Sequence, residues 1–215
     1  MIETIDNTIQ LVTTAISSGI AIYYAYSSRN HIWIKLSLAI FVYFLGDLYN
    51  ALYLLFYDRT PHYSVIPYIG WYASYLFLFL LLSDIEAENK ITYRYKVLWL
   101  VPVFSIGNGL FYMYQSAWAS ITDPLLHIIV MTLLMWHTIG GILHFRKVPA
   151  YAAHKKRLYI TILIICFGEY ATSIVSCFWM GDTLRNPYFW FDTLLSAAYL
   201  LLPAALKKAV ANELH

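Results

Sequence analysis

The sequence predicts an all-α integral membrane protein, a bundle of seven transmembrane helices, and three observations lead to this fold class. First, 60% of the 215 residues are hydrophobic and only 12% are charged, whereas a soluble domain normally carries roughly 25% charged residues. Second, the apolar residues are gathered in stretches near the roughly 20 residues that a helix needs to cross a bilayer. Third, lysine and arginine are distributed very unevenly between the segments that connect these stretches.

The predicted spans follow one another through short connections, so we expect the chain, 1–215, to form one membrane domain. The first span is preceded by Glu3 and Asp6 rather than by basic residues, and its apolar part is long. We therefore interpret it as a retained helix and not as a cleaved signal peptide. In chain order, the seven predicted spans are 8–28, 33–56, 64–83, 97–116, 124–145, 158–180 and 187–206.

The basic residues predict the orientation of the bundle. If seven spans alternate, one side of the membrane receives the first, third and fifth connections and the C-terminal tail. Lysine and arginine accumulate in cytoplasmic loops, so this side is predicted to be the cytoplasm and the N-terminus to lie outside. The outer side has two basic residues, Arg59 and Arg185, whereas the inner side has twelve: Arg29, Lys35, Lys90, Arg94, Lys96, Arg146, Lys147, Lys155, Lys156, Arg157, Lys207 and Lys208.

Three acidic residues fall inside the predicted spans and, given this orientation, at similar depths. Asp47 lies just past the middle of the second span, Glu169 lies near the middle of the sixth, and Asp192 lies about two turns from the outer end of the seventh. A charged side chain within a bilayer costs at least about 2.5–3.5 kcal/mol and usually faces the bundle interior or a wet cavity. The acids thus predict a polar cavity between the membrane centre and its outer surface.

Helical spacing adds polar and aromatic neighbours to these acids. Residues separated by four and seven positions share one helix face, which places Tyr43 and Asn50 beside Asp47, and Ser196 beside Asp192. The third span is expected to complete the cavity formed by spans two, six and seven. The predicted ligand-binding residues are Tyr43, Asp47, Asn50, Trp71, Ser74, Glu169, Asp192 and Ser196.

The chemistry of this set favours a positively charged ligand. No lysine or arginine lies deep in any predicted span. Three neighbouring carboxylates therefore cannot all stay ionised unless a cation joins them, and otherwise at least one of them must be protonated. Aromatic faces next to carboxylates also attract organic cations. We therefore expect an outward-facing site for a proton, a metal cation or a small amine, in a sensor or receptor-like protein or a small transporter.

Two other functions remain open at this point. Paired carboxylates can perform general acid–base catalysis when their surroundings differ, so an intramembrane lipid-modifying enzyme is one alternative. No HExxH sequence or nucleophile elbow is present, and a non-enzymatic role is favoured with no catalytic residue assigned. The second alternative is a membrane subunit of a larger complex, with a protein partner bound through the cytoplasmic loops. Asp47 itself has a structural alternative, in which it only ties helices together.

Several other ligands and partners are not expected. His127, His137 and His144 all lie on the fifth span, whereas haem ligation across a bundle requires a partner on a second helix, so neither haem nor a bound metal cofactor is expected. Cys166 and Cys177 are eleven residues apart on one predicted helix, roughly 16 Å, too far for a disulfide. No basic cluster interleaved with aromatics indicates nucleic acid. The predicted location is the lipid bilayer of the cell membrane, as a multi-pass protein of the bacterial inner membrane.

Short pieces of two spans resemble the microbial rhodopsin scaffold, which also has seven spans, an outside N-terminus and short loops. In PYIGWYASYLFLFLLLSD, Tyr68, Trp71 and Asp84 stand in the order seen in that family's third helix. In FDTLLSAAY, Asp192 stands where the family has its inner counter-ion aspartate. The retinal-binding lysine is replaced by Ser196 and the third-helix counter-ion by Gly70, so the resemblance implies a shared scaffold without retinal.

Overall fold

Seven helices account for nearly all of the residues that the structure describes. The computed structural model describes residues 2–57, 65–89, 91, 95–115, 121–146, 153–178 and 185–210. The predicted span limits 64, 116 and 180 lie outside these residues. The helices are α1 (Ile2–Ser28), α2 (His31–Tyr57), α3 (Val65–Glu88), α4 (Leu100–Gln115), α5 (Thr122–Phe145), α6 (Ala153–Ser176) and α7 (Tyr188–Val210), with a 3-10 turn, Lys96–Trp99, before α4.

Six of the helices, α2 to α7, are by length and composition apolar enough to cross a membrane, α4 together with the 3-10 turn that precedes it. The predicted all-α fold is confirmed, and the six apolar helices support a membrane-embedded protein. α1 has 27 residues but is not among these six, because serine, threonine, glutamine and tyrosine lower its hydropathy. The seventh span therefore stays a prediction, as does the orientation of the bundle.

The helices form a ring with one helix outside it. α1 packs against α2 and α7, α2 against α3, α3 against α5, α5 against α6, and α6 against α7, which closes the ring of six. α4 lies outside, mainly against α5 and with fewer contacts to α6. Because α1 lies between α2 and α7 in this ring, its polar face is directed at the bundle interior.

The interior of the ring is rich in tyrosine. Tyr75, Tyr159, Tyr170 and Tyr199 are among the largest fully buried side chains. The Tyr43 ring lies 4.2 Å from the Tyr199 ring and 6.2 Å from the Tyr75 ring, centroid to centroid. The outer faces carry large exposed hydrophobic side chains on every helix, the arrangement expected when the surrounding solvent is lipid rather than water.

The turn between α1 and α2 is held by local backbone and side-chain contacts. Arg29 adopts a left-handed conformation with φ of 51°, and its N–H donates to Ala25 O at 3.0 Å, ending α1. Asn30 then accepts a bond from the N–H of Ile32 at 2.8 Å through its side chain, as an N-cap residue does. These contacts let two antiparallel helices follow each other with only two residues between them.

Glycine sets the distance between α2 and α3. A Cβ atom added to Gly70 would lie 2.7 Å from Val42 O and 3.3 Å from the Cα of Gly46. A methyl group therefore does not fit unless the backbones separate. Small residues at a helix contact allow this close approach in membrane proteins, and the approach carries Trp71, the next residue, toward the facing surface of α2.

We predict that Gly70→Ala destabilises the protein, by about 1–3 kcal/mol, since overpacking at a rigid contact has costs of this size. The measurement is the thermal unfolding midpoint of the purified protein in detergent. Gly107→Ala is the matched control, because a Cβ at that exposed position of α4 meets nothing within 4 Å. Equal midpoints for the two variants would contradict the prediction.

Candidate functional site

A cavity of about 180 Å³ lies in one half of the bundle. We call this the cavity end, where α1, α3, α5 and α7 begin and α2, α4 and α6 end; the other is the opposite end. All seven helices contribute to the wall, and none of the lining residues is lysine or arginine. The lining residues are Asn7, Gln10, Tyr43, Asn50, Tyr68, Trp71, Tyr72, Asn108, Gly109, Tyr112, Asp123, Pro124, His127, Glu169, Thr172, Ser173, Ser176, Tyr188, Asp192 and Leu195.

Five of the eight predicted ligand-binding residues lie on this wall: Tyr43, Asn50, Trp71, Glu169 and Asp192. They come from α2, α3, α6 and α7, the helices that the sequence indicates. The other three, Asp47, Ser74 and Ser196, are buried and are not part of the wall. The structure thus brings most of the predicted set together around one space and places the rest elsewhere in the same half of the bundle.

Asp192 is fixed by a residue of α1. The residue is only 5% exposed, and Gln10 donates a long hydrogen bond of 3.3 Å from Nε2 to Asp192 Oδ1. The same amide lies 3.3 Å from the hydroxyl of Tyr43. A neutral amide supplies a dipole but no compensating charge, so this contact orients the carboxylate without neutralising it.

Glu169 has one close and one distant partner. The hydroxyl of Tyr75 donates to Oε2 at 2.6 Å, a short bond typical of a charge-assisted contact. Nδ1 of His127 lies 3.8 Å from Oε1, beyond hydrogen-bond distance but close enough for an ion pair when the ring is protonated. The Glu169 side chain is 17% exposed, so it is reachable from the cavity.

Asp47 lies behind the wall and ties three helices together. The indole N–H of Trp71 donates to Oδ1 at 3.0 Å, and the hydroxyl of Thr14 donates to Oδ2 at 3.1 Å. The residue is 4% exposed. Trp71 therefore has two roles, because its ring forms part of the cavity wall and its N–H holds the carboxylate of α2.

The two predicted serines are separated from the cavity in different ways. Ser74 bonds the hydroxyl of Tyr199 at 2.9 Å and so links α3 to α7. The hydroxyl of Ser196 is buried and has no hydrogen-bond partner among the residues that the structure describes. Neither serine belongs to the wall.

Aromatic rings cover one side of the cavity. The ring centroids of Tyr68 and Trp71 are 5.3 Å apart in an edge-to-face arrangement, and Tyr68 stacks on Tyr72 at 6.0 Å. The hydroxyl of Tyr72 donates to the carbonyl of Asp123 at 3.1 Å, which fixes this wall to α5. Electron-rich faces therefore lie on the same cavity as the carboxylates, an arrangement that can bind a cation.

Sequence reasoning overlooked several residues of this site. Gln10 is a strongly polar side chain inside the first predicted span. Its position within an apolar span could have indicated that it faces the interior of the bundle. Asp123 comes from α5, a helix left out of the predicted cavity.

We predict that Trp71→Phe destabilises the protein by about 1–3 kcal/mol, because the buried carboxylate of Asp47 loses a donor while the aromatic wall is kept. Thermal unfolding in detergent measures this effect. Trp99→Phe is the control, since Trp99 is 69% exposed. In Asp47→Asn the penalty of Trp71→Phe should shrink, and equal penalties in the two backgrounds would contradict the contact.

Comparison with known proteins found no matching family model, no similar curated protein and no similar solved structure. The function proposed below therefore follows from the geometry of the cavity.

Proposed function

We propose that this protein is a membrane receptor or transporter that binds a small organic cation in the cavity, with Asp192 and Glu169 as its counter-charges. One observation carries the proposal: two interior carboxylates and several aromatic faces line the same cavity, and the lining residues that the structure describes include no lysine or arginine.

The electrostatics of the cavity favour a cationic occupant. An ionised carboxylate inside an apolar bundle is stable only when a cation or several hydrogen bonds compensate it. Gln10 gives Asp192 one long bond, and Tyr75 gives Glu169 one short bond. A bound ammonium group next to both acids would supply the missing positive charge and would be attracted by the rings of Tyr68 and Trp71.

The volume of the cavity limits the size of the ligand. An apolar cavity of about 150 Å³ accommodates benzene, and this cavity has about 180 Å³. Drug-sized ligands need about 300 Å³ or more. The proposed ligand is therefore a compact amine, ammonium or guanidinium compound rather than a lipid or a peptide.

The charge distribution of the sequence supports access from outside the cell. Most lysines and arginines belong to the connections and tail at the opposite end of the bundle, which the positive-inside rule assigns to the cytoplasm. The cavity end would then face the exterior, and the ligand would enter from there.

We predict that the purified protein binds tetramethylammonium, ethylammonium or guanidinium, measured by isothermal titration calorimetry in detergent. Asp192→Asn and Glu169→Gln should each weaken binding of that cation by about 30-fold or more, since a desolvated charge partner contributes at least about 2 kcal/mol. The uncharged isostere tert-butanol should not bind measurably.

Asp84→Asn is the matched control for these variants. Asp84 forms its ion pairs with Lys35 and His31 at the opposite end, so the substitution removes one acid without touching the cavity. Failure of all three cations to bind would overturn the proposed function. Equal weakening by Asp84→Asn would remove Asp192 and Glu169 from the site.

A further inference from the structure

A buried carboxylate also lies at the opposite end of the bundle, away from the acids of the cavity end. Glu86, in the last turn of α3, is 6% exposed. Its Oε2 lies 2.5 Å from Nδ1 of His137 on α5, and the hydroxyl of Tyr159 on α6 donates to Oε1 at 3.4 Å. An ionisable group inside a membrane bundle marks a functional site by default, and this one is not used by the cavity.

The position of the Tyr159 side chain, which comes from α6, depends on a glycine of α5. A Cβ added to Gly141 would lie 2.0 Å from the tyrosine ring, so the ring packs directly on the helix backbone at this glycine. Tyr159 is fully buried. The phenol therefore reaches Glu86 only because position 141 has no side chain.

The cavity end also brings together a tyrosine, a histidine and a glutamate from α3, α5 and α6. We call Tyr75, His127 and Glu169 the cavity triad, and Glu86, His137 and Tyr159 the opposite triad. Both histidines belong to α5, whereas tyrosine and glutamate exchange places between α3 and α6. Because these two helices run antiparallel, the second triad is an inverted copy of the first. On α3, α5 and α6 in turn, the residue of one triad lies 11, 10 and 10 positions from the residue of the other, roughly 15 Å along the helix.

The two triads have complementary bonding. In the cavity triad the tyrosine contact is short, 2.6 Å, and the histidine is 3.8 Å away. In the opposite triad the histidine contact is short, 2.5 Å, and the tyrosine is 3.4 Å away. The Nε2 atom of His127 is also buried without a hydrogen-bond partner within the described part of the chain. The glutamate is thus paired with the imidazole at one end and with the phenol at the other.

Fully buried apolar side chains occupy the levels between the triads. They come from all three helices: Leu78, Leu82, Met131, Leu134, Ile162 and Ile165. This largely apolar layer lies between the two glutamates. Inverted arrangements related by a two-fold axis in the membrane plane are a feature of many transporters that expose their site to each side in turn.

We propose that the opposite triad is a proton-binding site and that the protein exchanges protons for the cation of the cavity across the membrane. This inference rests on the proposed function, and it selects transport over sensing. When Glu86 takes up a proton beside a protonated His137, the ion pair between them is lost, and the cation-bearing cavity can open toward the opposite end. When the proton leaves, the carboxylate–imidazole pair closes that end again.

Other titratable and charged groups lie near the opposite triad, and the two acids among them pair with groups on α2. Asp84 on α3 pairs with Lys35 and His31 on α2. Glu88 lies 3.8 Å from His31, and Lys155 on α6 bonds Asn89 at 2.8 Å. His144 lies two turns beyond His137 on α5, and His154 lies near the start of α6. These groups set the local field, while Glu86 is the acid that contacts both α5 and α6.

The experiment uses the full chain in liposomes and tetramethylammonium as the transported probe. This ion is not a weak base, so it cannot follow a pH difference by crossing the bilayer in a neutral form. For one-for-one exchange, a difference of one pH unit should drive about tenfold accumulation on the acidic side. Glu86→Gln should abolish this accumulation and leave the calorimetric affinity for tetramethylammonium within about twofold, which also shows that the variant folds.

Glu88→Gln is the matched control, half a turn away on the same helix and with a more exposed side chain, and it should behave like the unchanged protein. Binding without any effect of the pH difference on uptake would overturn the exchange and leave the proposed function intact. Continued coupling in Glu86→Gln would remove the opposite triad from the mechanism. Absence of tetramethylammonium binding in the unchanged protein would overturn both proposals.

Discussion

The interior of this bundle is organised by the cost of placing carboxylates in an apolar medium. Asp47, Glu86, Glu169 and Asp192 are among the acids removed from bulk solvent, and each of these four has a side-chain partner on at least one other helix. A buried polar group without such partners would cost several kcal/mol. These contacts link helices across the bundle, so the acids act as junctions between helices as well as chemical groups.

The four acids differ in how much of each carboxylate remains accessible from the cavity. Asp47 is closed by an indole and a hydroxyl from two directions and has the character of a structural tie. Asp192 and Glu169 keep a surface on the cavity, and their partners are neutral or distant. Glu86 has an imidazole at bonding distance and is not part of the cavity wall. The surroundings of each acid therefore decide whether it is enclosed by donors or keeps an accessible surface.

Most of the helical architecture could be predicted from hydropathy, because length and apolar content are local properties. The predicted and observed helix limits agree within about six residues, with the widest difference at the start of α1. The difference that matters for the function lies at the end of α3, and it has a physical cause. The predicted span ends at residue 83, but the helix continues to Glu88 because the polar residues that follow are still good helix formers. Glu86 was consequently assigned to a connection, and the opposite triad was missed.

The candidate site was harder to predict, because periodicity assigns residues to a helix face but does not say which neighbour covers that face. Asp47 shares its face with Tyr43 and Asn50, yet only the latter two reach the cavity, since Trp71 stands between Asp47 and the space. The role of Gln10 depends on α1 closing the ring between α2 and α7, a tertiary fact that no local pattern contains. The membrane orientation and the likeness to the microbial rhodopsin scaffold stay predictions.

The peripheral position of α4 has a consequence for access to the interior. This helix supplies Asn108, Gly109 and Tyr112 to the cavity wall but lies outside the ring and packs mainly against α5. At Gly109 a Cβ would lie 2.3 Å from the side chain of Ile128. The side chain of Ile128 on α5 therefore packs directly against the backbone of α4 at this glycine. A tilt of α4 about this contact would open the cavity toward the side of the bundle, while the other six helices kept their arrangement.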